Sequence, residues 1–182
     1  GAFDEQGKPQ TLVFTHNKCG NYCRDAMALL KKRRVDFMEY NLDGNDDNQA
    51  LWKTYGGVNS FPNIIVGNER FYGSNKSGIV SVLAMKSGDA VLISSERYYI
   101  KKHFNSDASA RLKMYSASWC GYCKKLRQVL NEKDIAFTEI DVEKSAQRQA
   151  MTTALDIGGY PLVYYGYKRL PGPSPKDVLA LL

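Results

Sequence analysis

The sequence predicts an α/β protein built twice: two tandem units, each a four-stranded mixed sheet flanked by helices. Three observations carry that prediction. The chain agrees with itself when slid by 100 residues. Within each copy, short β-prone apolar runs alternate with helical patterns. All four cysteines, Cys19, Cys23, Cys120 and Cys123, lie in two short motifs at matching places, "NKCGNYCRD" and "SWCGYCKKL".

The repeat reads without a gap from Leu12 over Leu112 onward. Cys23 falls on Cys123, Leu30 on Leu130, Phe37 on Phe137, Glu39 on Glu139, and Gln49-Ala50 on Gln149-Ala150. The second copy then loses one residue. Beyond the gap, Phe61-Pro62 lies over Tyr160-Pro161, and Gly67, Arg70 and Gly73 lie over Gly166, Arg169 and Gly172.

Each element has a local reason. Leu12–Thr15 is short, apolar and β-prone, so a strand. A helix follows the cysteine motif; in the second copy Cys123, Leu126, Val129 and Leu130 recur at helical spacing. Phe37–Leu42 and Phe137–Val142 read as second strands, and Asn45–Tyr55 and Ser145–Leu155 as second helices. Pro62 and Pro161 open the third strands, "NIIV" and "LVYY". A glycine turn leads to short fourth strands at Arg70–Tyr72 and Arg169–Leu170, and helices near Ile79–Lys86 and Lys176–Leu182 close the copies. This gives domains at 1–88 and 111–182. Residues 89–110 have no counterpart after the second copy, which ends at Leu182. Val91-Leu92-Ile93 and Tyr98-Tyr99-Ile100 are too apolar for a floppy linker, so an ordered connector packed between the halves is expected, helix or strand left open.

Composition excludes several classes. With 43% hydrophobic and 24% charged residues, the 182-residue chain is neither disordered nor collagen-like. No run of about 18 apolar residues exists, so no membrane-spanning segment is expected. The net charge of +6 is spread along the chain. Its densest cluster, Lys31-Lys32-Arg33-Arg34, falls at an expected helix end, where cations face the negative end of the helix dipole. Nucleic-acid binding needs a clustered basic face with a recognition motif, and neither is present. A chain opening on Gly1-Ala2 is consistent with a processed end, so the compartment stays open between the cytoplasm and, if an export signal was removed, an extracytoplasmic space. With every cysteine inside a motif, none remains to staple the fold, which leaves thiol chemistry or metal binding.

A strand, then Trp119-Cys120-Gly121-Tyr122-Cys123 opening a helix, then Tyr160-Pro161 before a β-hairpin, resembles the thioredoxin fold. The compact size and the P-x4-G-x2-R-x2-G hairpin are closer to glutaredoxins, whereas Trp-Cys-Gly looks more like thioredoxin. The resemblance covers nearly the whole chain, twice, and implies tandem glutaredoxin-like domains that act as a thiol–disulfide oxidoreductase on protein disulfides. A helix start supplies unpaired N–H donors and a positive dipole end, both of which favour a thiolate. Cys120 is then the attacking thiol, and Cys123, one turn later, the resolving one. By the same resemblance Pro62 and Pro161 are cis and face the cysteines, and the backbone before them pairs with substrate. Trp119, Tyr122, Tyr160 and Phe61 join them as expected substrate-binding residues. Expected partners are protein thiols and disulfides and an upstream thiol reductant or oxidant. No cofactor is expected beyond the redox-active disulfides and no metal is assigned, while glutathione keeps only weak support. Glutathione-using glutaredoxins carry Gly-Gly and an acidic pair after the hairpin. Here Tyr72 or Pro171 stands at the first glycine, Asp177 comes late, and Ser60-Phe61 or Gly159-Tyr160 replaces the usual Thr-Val before the Pro.

The first motif differs from the second. In the ungapped register Cys19 lies over Trp119 and Gly20 over Cys120, as if the outer cysteine had moved back one step. An insertion balanced by a nearby deletion fits too, with two events instead of one. On the first reading Cys19 sits off the helix-start donors and is less activated than Cys120, which makes Cys19/Cys23 a specialised or relay dithiol. One helical turn still brings two Cα atoms within disulfide range. His16, close before Cys19, is a conceivable general base, although a lone loop histidine more often simply faces solvent. His103 shows no partner in sequence. Two rival readings stand: a four-cysteine zinc or iron–sulfur protein, which requires the motifs to meet in space, and a peptide-binding module whose first domain is redox-silent.

Overall fold

The computed structural model describes all 182 residues, and they separate into two compact units, Gly1–Leu92 and Ile93–Leu182. In the first unit β1 (Thr11–Thr15) is buried at every residue, as a strand covered on both faces must be. It pairs in parallel with β2 (Met38–Asn41) and antiparallel with β3 (Asn63–Val66), which pairs antiparallel with β4 (Glu69–Tyr72). The sheet order is β2-β1-β3-β4, a four-stranded mixed sheet with the two most apolar strands at its centre. Helix α1 (Gly20–Lys32) buries Cys23, Ala26 and Leu30, three residues at helical spacing. Asn45 caps α2 (Asp46–Thr54) by accepting the Asn48 N–H. Helix α3 (Lys76–Ser87) is buried along its first eight residues after Lys76. It closes on β4 so tightly that a Cβ on Gly78 would collide with the Phe71 ring.

The second unit repeats this plan. Helix α4 (Ser94–Ile100) precedes β5 (Leu112–Ser116), α5 (Gly121–Glu132), β6 (Thr138–Asp141), α6 (Arg148–Leu155), β7 (Leu162–Tyr165), β8 (Lys168–Pro171) and α7 (Pro175–Leu179). Its sheet order is β6-β5-β7-β8, with the same parallel and antiparallel pairings. Between the units' central strands lies no structureless linker. Gly88–Val91 is a 3₁₀ turn continuing from α3, α4 packs on α6, and Lys101–His103 is a second 3₁₀ turn. Residues 93–110 thus group with the second unit by contacts.

Backbone hydrogen bonds correct the ungapped register. In the N-terminal hairpin Gln10 N–H donates to Ala2 O at 2.7 Å, Asp4 N–H to Lys8 O at 2.9 Å and Gly7 N–H to Asp4 O at 2.9 Å. The second unit makes the same three bonds from Arg111 to His103 (2.7 Å), Asn105 to Ser109 (2.8 Å) and Ala108 to Asn105 (2.9 Å). The shift is therefore 101, and it persists through the central strand, because Thr15 and Ser116 carbonyls both accept the amide that follows the neighbouring strand, Leu42 or Val142. It persists into the motif: Cys19 N–H donates to His16 O as Cys120 N–H does to Ala117 O. Cys19 matches Cys120, and Gly20 matches Gly121. The first motif holds one inserted residue before Cys23, with no compensating deletion nearby. Residues 103–110 also gain a counterpart, the hairpin at 2–9.

His103, without a visible partner in sequence, is fully buried in that hairpin. Its Nε2 lies 2.6 Å from the Tyr115 hydroxyl, its Nδ1 lies 3.2 Å from Gly166 O, and its ring stacks on Tyr164 at 4.3 Å. Burial lowers its pKa to about 3, and Lys113 adds to the effect. Burial also raises the Tyr115 and Tyr164 phenols. Unfolded, the imidazole titrates near 6.5, so between about pH 6.5 and 3 the unfolded chain binds more protons. The stability due to neutral His103 is complete above that window and falls as pH falls through it, by up to about 1.4 kcal/mol per pH unit. Urea unfolding of the wild type and His103→Gln at pH 4, 5, 6 and 7 checks this; the variant is expected to lose stability less steeply toward acid.

Candidate active site

Each cysteine pair sits where the central strand of its unit hands over to a helix. After β5, Cys120 takes an extended conformation (φ −78°, ψ 106°) as the N-cap of α5, and its Sγ accepts the Cys123 N–H at 3.1 Å. A cysteine sulfur thus does the work of a capping oxygen, satisfying one orphan donor of the helix start. Cys120 and Cys123 are joined as a disulfide with Cα atoms 5.3 Å apart. Cys123 is fully buried among Leu126, Leu130, Val163 and Val178, whereas Cys120 keeps a 5% exposed edge.

The first motif reaches the same handover differently. Asn17–Cys19 form a 3₁₀ turn, Cys19 is already in a right-handed helical conformation, and Gly20 swings to φ +56°, ψ −131° before α1 begins. The inserted residue is absorbed there, in backbone space that glycine alone enters without strain. Cys19 bonds to Cys23 with Cα atoms 5.6 Å apart, yet its side chain caps no amide. The ungapped register holds Cys19 off the helix-start donors by giving Gly20 the capping position; the structure instead puts Cys19 at that position and rotates it out of the capping conformation. All four cysteines are bonded within their own motifs.

The expected substrate-binding residues fall into two different settings. In the second unit Trp119 and Tyr122 are 69% and 79% exposed on either side of Cys120. The Tyr160–Pro161 bond is cis, Pro161 is buried, and Tyr160 packs against the cluster that contains both cysteines. Tyr122, Lys125, Tyr160, Pro161, Gly172, Pro173, Ser174 and Pro175 line one cleft of about 370 Å³. Burial, followed by the Glu143 carboxylate, holds the Tyr160 phenol above its ordinary pKa. In the first unit the Phe61–Pro62 bond is likewise cis, but Phe61 turns onto the core, edge-on to His16 at 4.5 Å and beside Trp52 at 5.7 Å. His16 is occupied as a cap: its Nδ1 accepts the Lys18 N–H at 3.1 Å.

Sequence reasoning missed three side-chain groups around the second site. Trp119 Nε1–H donates to Glu143 Oε1 at 2.6 Å. Arg127 grips Glu139 with two bonds of 2.7 and 2.6 Å, and Ser116 Oγ donates to the same carboxylate at 2.6 Å, tying α5 to β6 and β5. The Arg127 bond holds the Glu139 carboxyl below the usual range. Ser174 and Asp177 form a reciprocal capping box at the start of α7. Only the capping box had a legible signal, Ser-Pro followed by an acid three residues after the cap.

Comparison with known proteins fits this geometry. The glutaredoxin family model matches residues 11–71 and 112–169, well over half of the chain and once in each unit. A glutaredoxin-like protein of Mycobacterium tuberculosis is 32% identical over 77 residues, which cover 41% of this chain and 92% of that relative. One from Synechocystis is 34% identical over 62 residues, covering 34% and 69%. Among solved structures, glutaredoxin C1 from a Populus hybrid gives a TM-score of 0.36 at 18% identity, covering 48% of this chain and 85% of that one. The alkylhydroperoxide reductase protein AhpF of Enterococcus faecalis gives 0.34 at 12%, covering 95% and 90%. The fold and paired cysteines define a thioredoxin-fold protein equipped for thiol–disulfide redox chemistry. The chain belongs to the glutaredoxin family and carries two tandem glutaredoxin-like domains.

The two glycines that follow the outer cysteines test the account of the insertion. Gly121 has no positive φ and open space around its Cβ direction; Gly20 has open space but a positive φ. Gly20→Ala is expected to strain the closed first motif by about 1–3 kcal/mol, and the strain is expected to be relieved when the disulfide opens. Its Cys19–Cys23 potential is expected to rise by roughly 20–60 mV, taking about 30 mV per 1.4 kcal/mol. Gly121→Ala is expected to leave the Cys120–Cys123 potential unchanged. Redox titration of each variant against dithiothreitol buffers measures both.

Proposed function

We propose that the protein is a thiol–disulfide oxidoreductase acting on protein disulfides through Cys120 and Cys123, with Cys19 and Cys23 as a second, specialised dithiol. The observation that carries this reading is the Cys123 N–H directed at Cys120 Sγ at the start of α5. In the reduced protein the same amide, with the positive end of the α5 dipole, favours the Cys120 thiolate. That thiolate attacks one sulfur of a substrate disulfide, and a new S–S bond forms as the other substrate sulfur leaves as a thiolate. Cys123, deprotonated, then attacks Cys120 Sγ, releases the second substrate thiol and leaves the Cys120–Cys123 disulfide. Two electrons and two protons pass to the substrate, and an external thiol restores the dithiol. The exchange runs in either direction according to the partner's potential.

A polypeptide substrate suits the cleft better than glutathione. Its walls are Tyr122, Tyr160, Pro161, Pro173 and Pro175, with Lys125 as the one cation. At its rim the donors of the α7 start are engaged by that helix's own Ser174 and Asp177, which leaves less for a free carboxylate. Apart from the redox-active disulfides, the reading calls for no cofactor. The first unit carries no equivalent exposed aromatic pair, with Lys18 in the place of Trp119, and it serves as a relay or accessory dithiol.

Cysteine variants test the assignment. Cys120→Ser is expected to abolish turnover of a protein disulfide such as insulin. Cys123→Ser is expected to accumulate a mixed disulfide through Cys120, seen as a mass increase reversed by dithiothreitol. Cys19→Ser with Cys23→Ser is expected to retain insulin turnover. A mixed disulfide trapped on Cys19 in preference to Cys120 contradicts the assignment.

A further inference from the structure

Trp119 is an anomaly among the exposed side chains. The residue is 69% exposed, yet its ring is fixed at two points: the indole N–H donates to Glu143 Oε1 at 2.6 Å, and the ring meets the Tyr160 ring edge-on at 5.9 Å. Glu143 is half-buried just after β6, and its other oxygen lies 3.4 Å from Arg148 of α6. The carboxylate is thereby held from behind by a cation and points its free oxygen at the indole. An exposed tryptophan that served only to cover the motif would need no such hold; a tryptophan kept in one orientation presents a rigid apolar face, which is how aromatic anchors contribute to protein–protein contacts.

The first unit is the internal contrast. Asp43 stands at the position of Glu143, and its carboxylate accepts the Asn17 backbone N–H instead. Lys18 occupies the place of Trp119. The same acidic position therefore holds the motif backbone in one unit and the Trp119 indole in the other. Beside Cys120 the fixed Trp119 and the exposed Tyr122 frame the approach to the sulfur.

We propose that Glu143 is a positioning residue that locks the Trp119 indole as a docking platform beside Cys120, and so makes this site selective for polypeptide disulfides over small disulfides. The proposal rests on Cys120 being the attacking thiol. The platform acts on encounter and binding of a large partner, whereas a small disulfide reaches Cys120 without touching the indole. Loss of the lock is therefore a loss in KM for proteins with kcat kept.

The test compares insulin and 2-hydroxyethyl disulfide as substrates, with dithiothreitol supplying electrons, for wild type, Glu143→Ala, Glu143→Gln, Trp119→Ala, the Glu143→Ala and Trp119→Ala double variant, and Cys120→Ser. Glu143→Ala is expected to raise KM for insulin about 5- to 10-fold, the size of one lost interface contact, with kcat and the small-disulfide rate within about twofold of wild type. Glu143→Gln, which keeps an acceptor oxygen, is expected to restore most of the KM. On a Trp119→Ala background Glu143→Ala is expected to add nothing further, because the two act as one unit. Equal losses on both substrates, additive losses in the double variant, or an unchanged KM for insulin overturn the assignment of Glu143 while Cys120→Ser remains inactive. Retained turnover in Cys120→Ser overturns the reading of the site itself, and the assignment of Glu143 with it.

Discussion

The bond from the Cys123 amide to the Cys120 sulfur depends on everything that fixes the start of α5. The strand before it ends in buried Ser116, and the carbonyl of the next residue, buried Ala117, accepts the Cys120 N–H at 3.1 Å, which sets the path of the chain into the motif. The helix after it is held by buried Leu126 and Leu130 and by the two-pronged Arg127–Glu139 bond to β6. Cys120 takes an extended backbone there, and that conformation brings its sulfur over the first turn. A helix start already favours an anion; here the geometry brings a single sulfur to it, and that sulfur's residue keeps a 5% exposed edge.

The same scaffold in the first unit shows how little is needed to change that outcome. One inserted residue, absorbed by Gly20 at positive φ, turns Cys19 into a helical conformation and removes its capping bond. The surroundings diverge in step. Met27 stands where Arg127 binds Glu139, and Glu39 is exposed. The Thr15 hydroxyl, at the position of Ser116, is buried without a partner. Phe61 packs on His16 and the core where Tyr160 borders a cleft. The two units share a sheet order and differ in what their sulfurs meet, and the proposal of two dithiols of unequal character rests on that physical difference.

Much of this was legible in the sequence, for identifiable reasons. The repeat, the order of strands and helices and the position of both prolines follow from apolar patterning and from the glycine turn of the hairpin. The register of the first motif did not follow, because residue identity at Leu12 favours Leu112 over its structural partner Lys113. A one-residue slip in a strand exchanges its faces, yet both faces of this central strand are buried, so polarity does not penalise the error. The pairs Phe14-Thr15 with Tyr115-Ser116 and Cys19-Gly20 with Cys120-Gly121 carried the correct register. The Trp119–Glu143 and Arg127–Glu139 bonds join residues 12 to 24 positions apart, and no local pattern encodes such pairings. The partners of His103 were hidden similarly, since its counterpart, Ala2, gives no hint of a buried ring.

The central claim is that the Cys120 thiolate is stabilised by the start of α5 and the Cys19 thiolate is not stabilised to the same degree by the start of α1. The most direct measurement is the rate of iodoacetamide alkylation at each outer cysteine as a function of pH, read by peptide mass in the fully reduced Cys23→Ser, Cys123→Ser protein. The account predicts that Cys120 becomes reactive at lower pH than Cys19. Alkylation of Cys19 at equal or lower pH than Cys120 would contradict it.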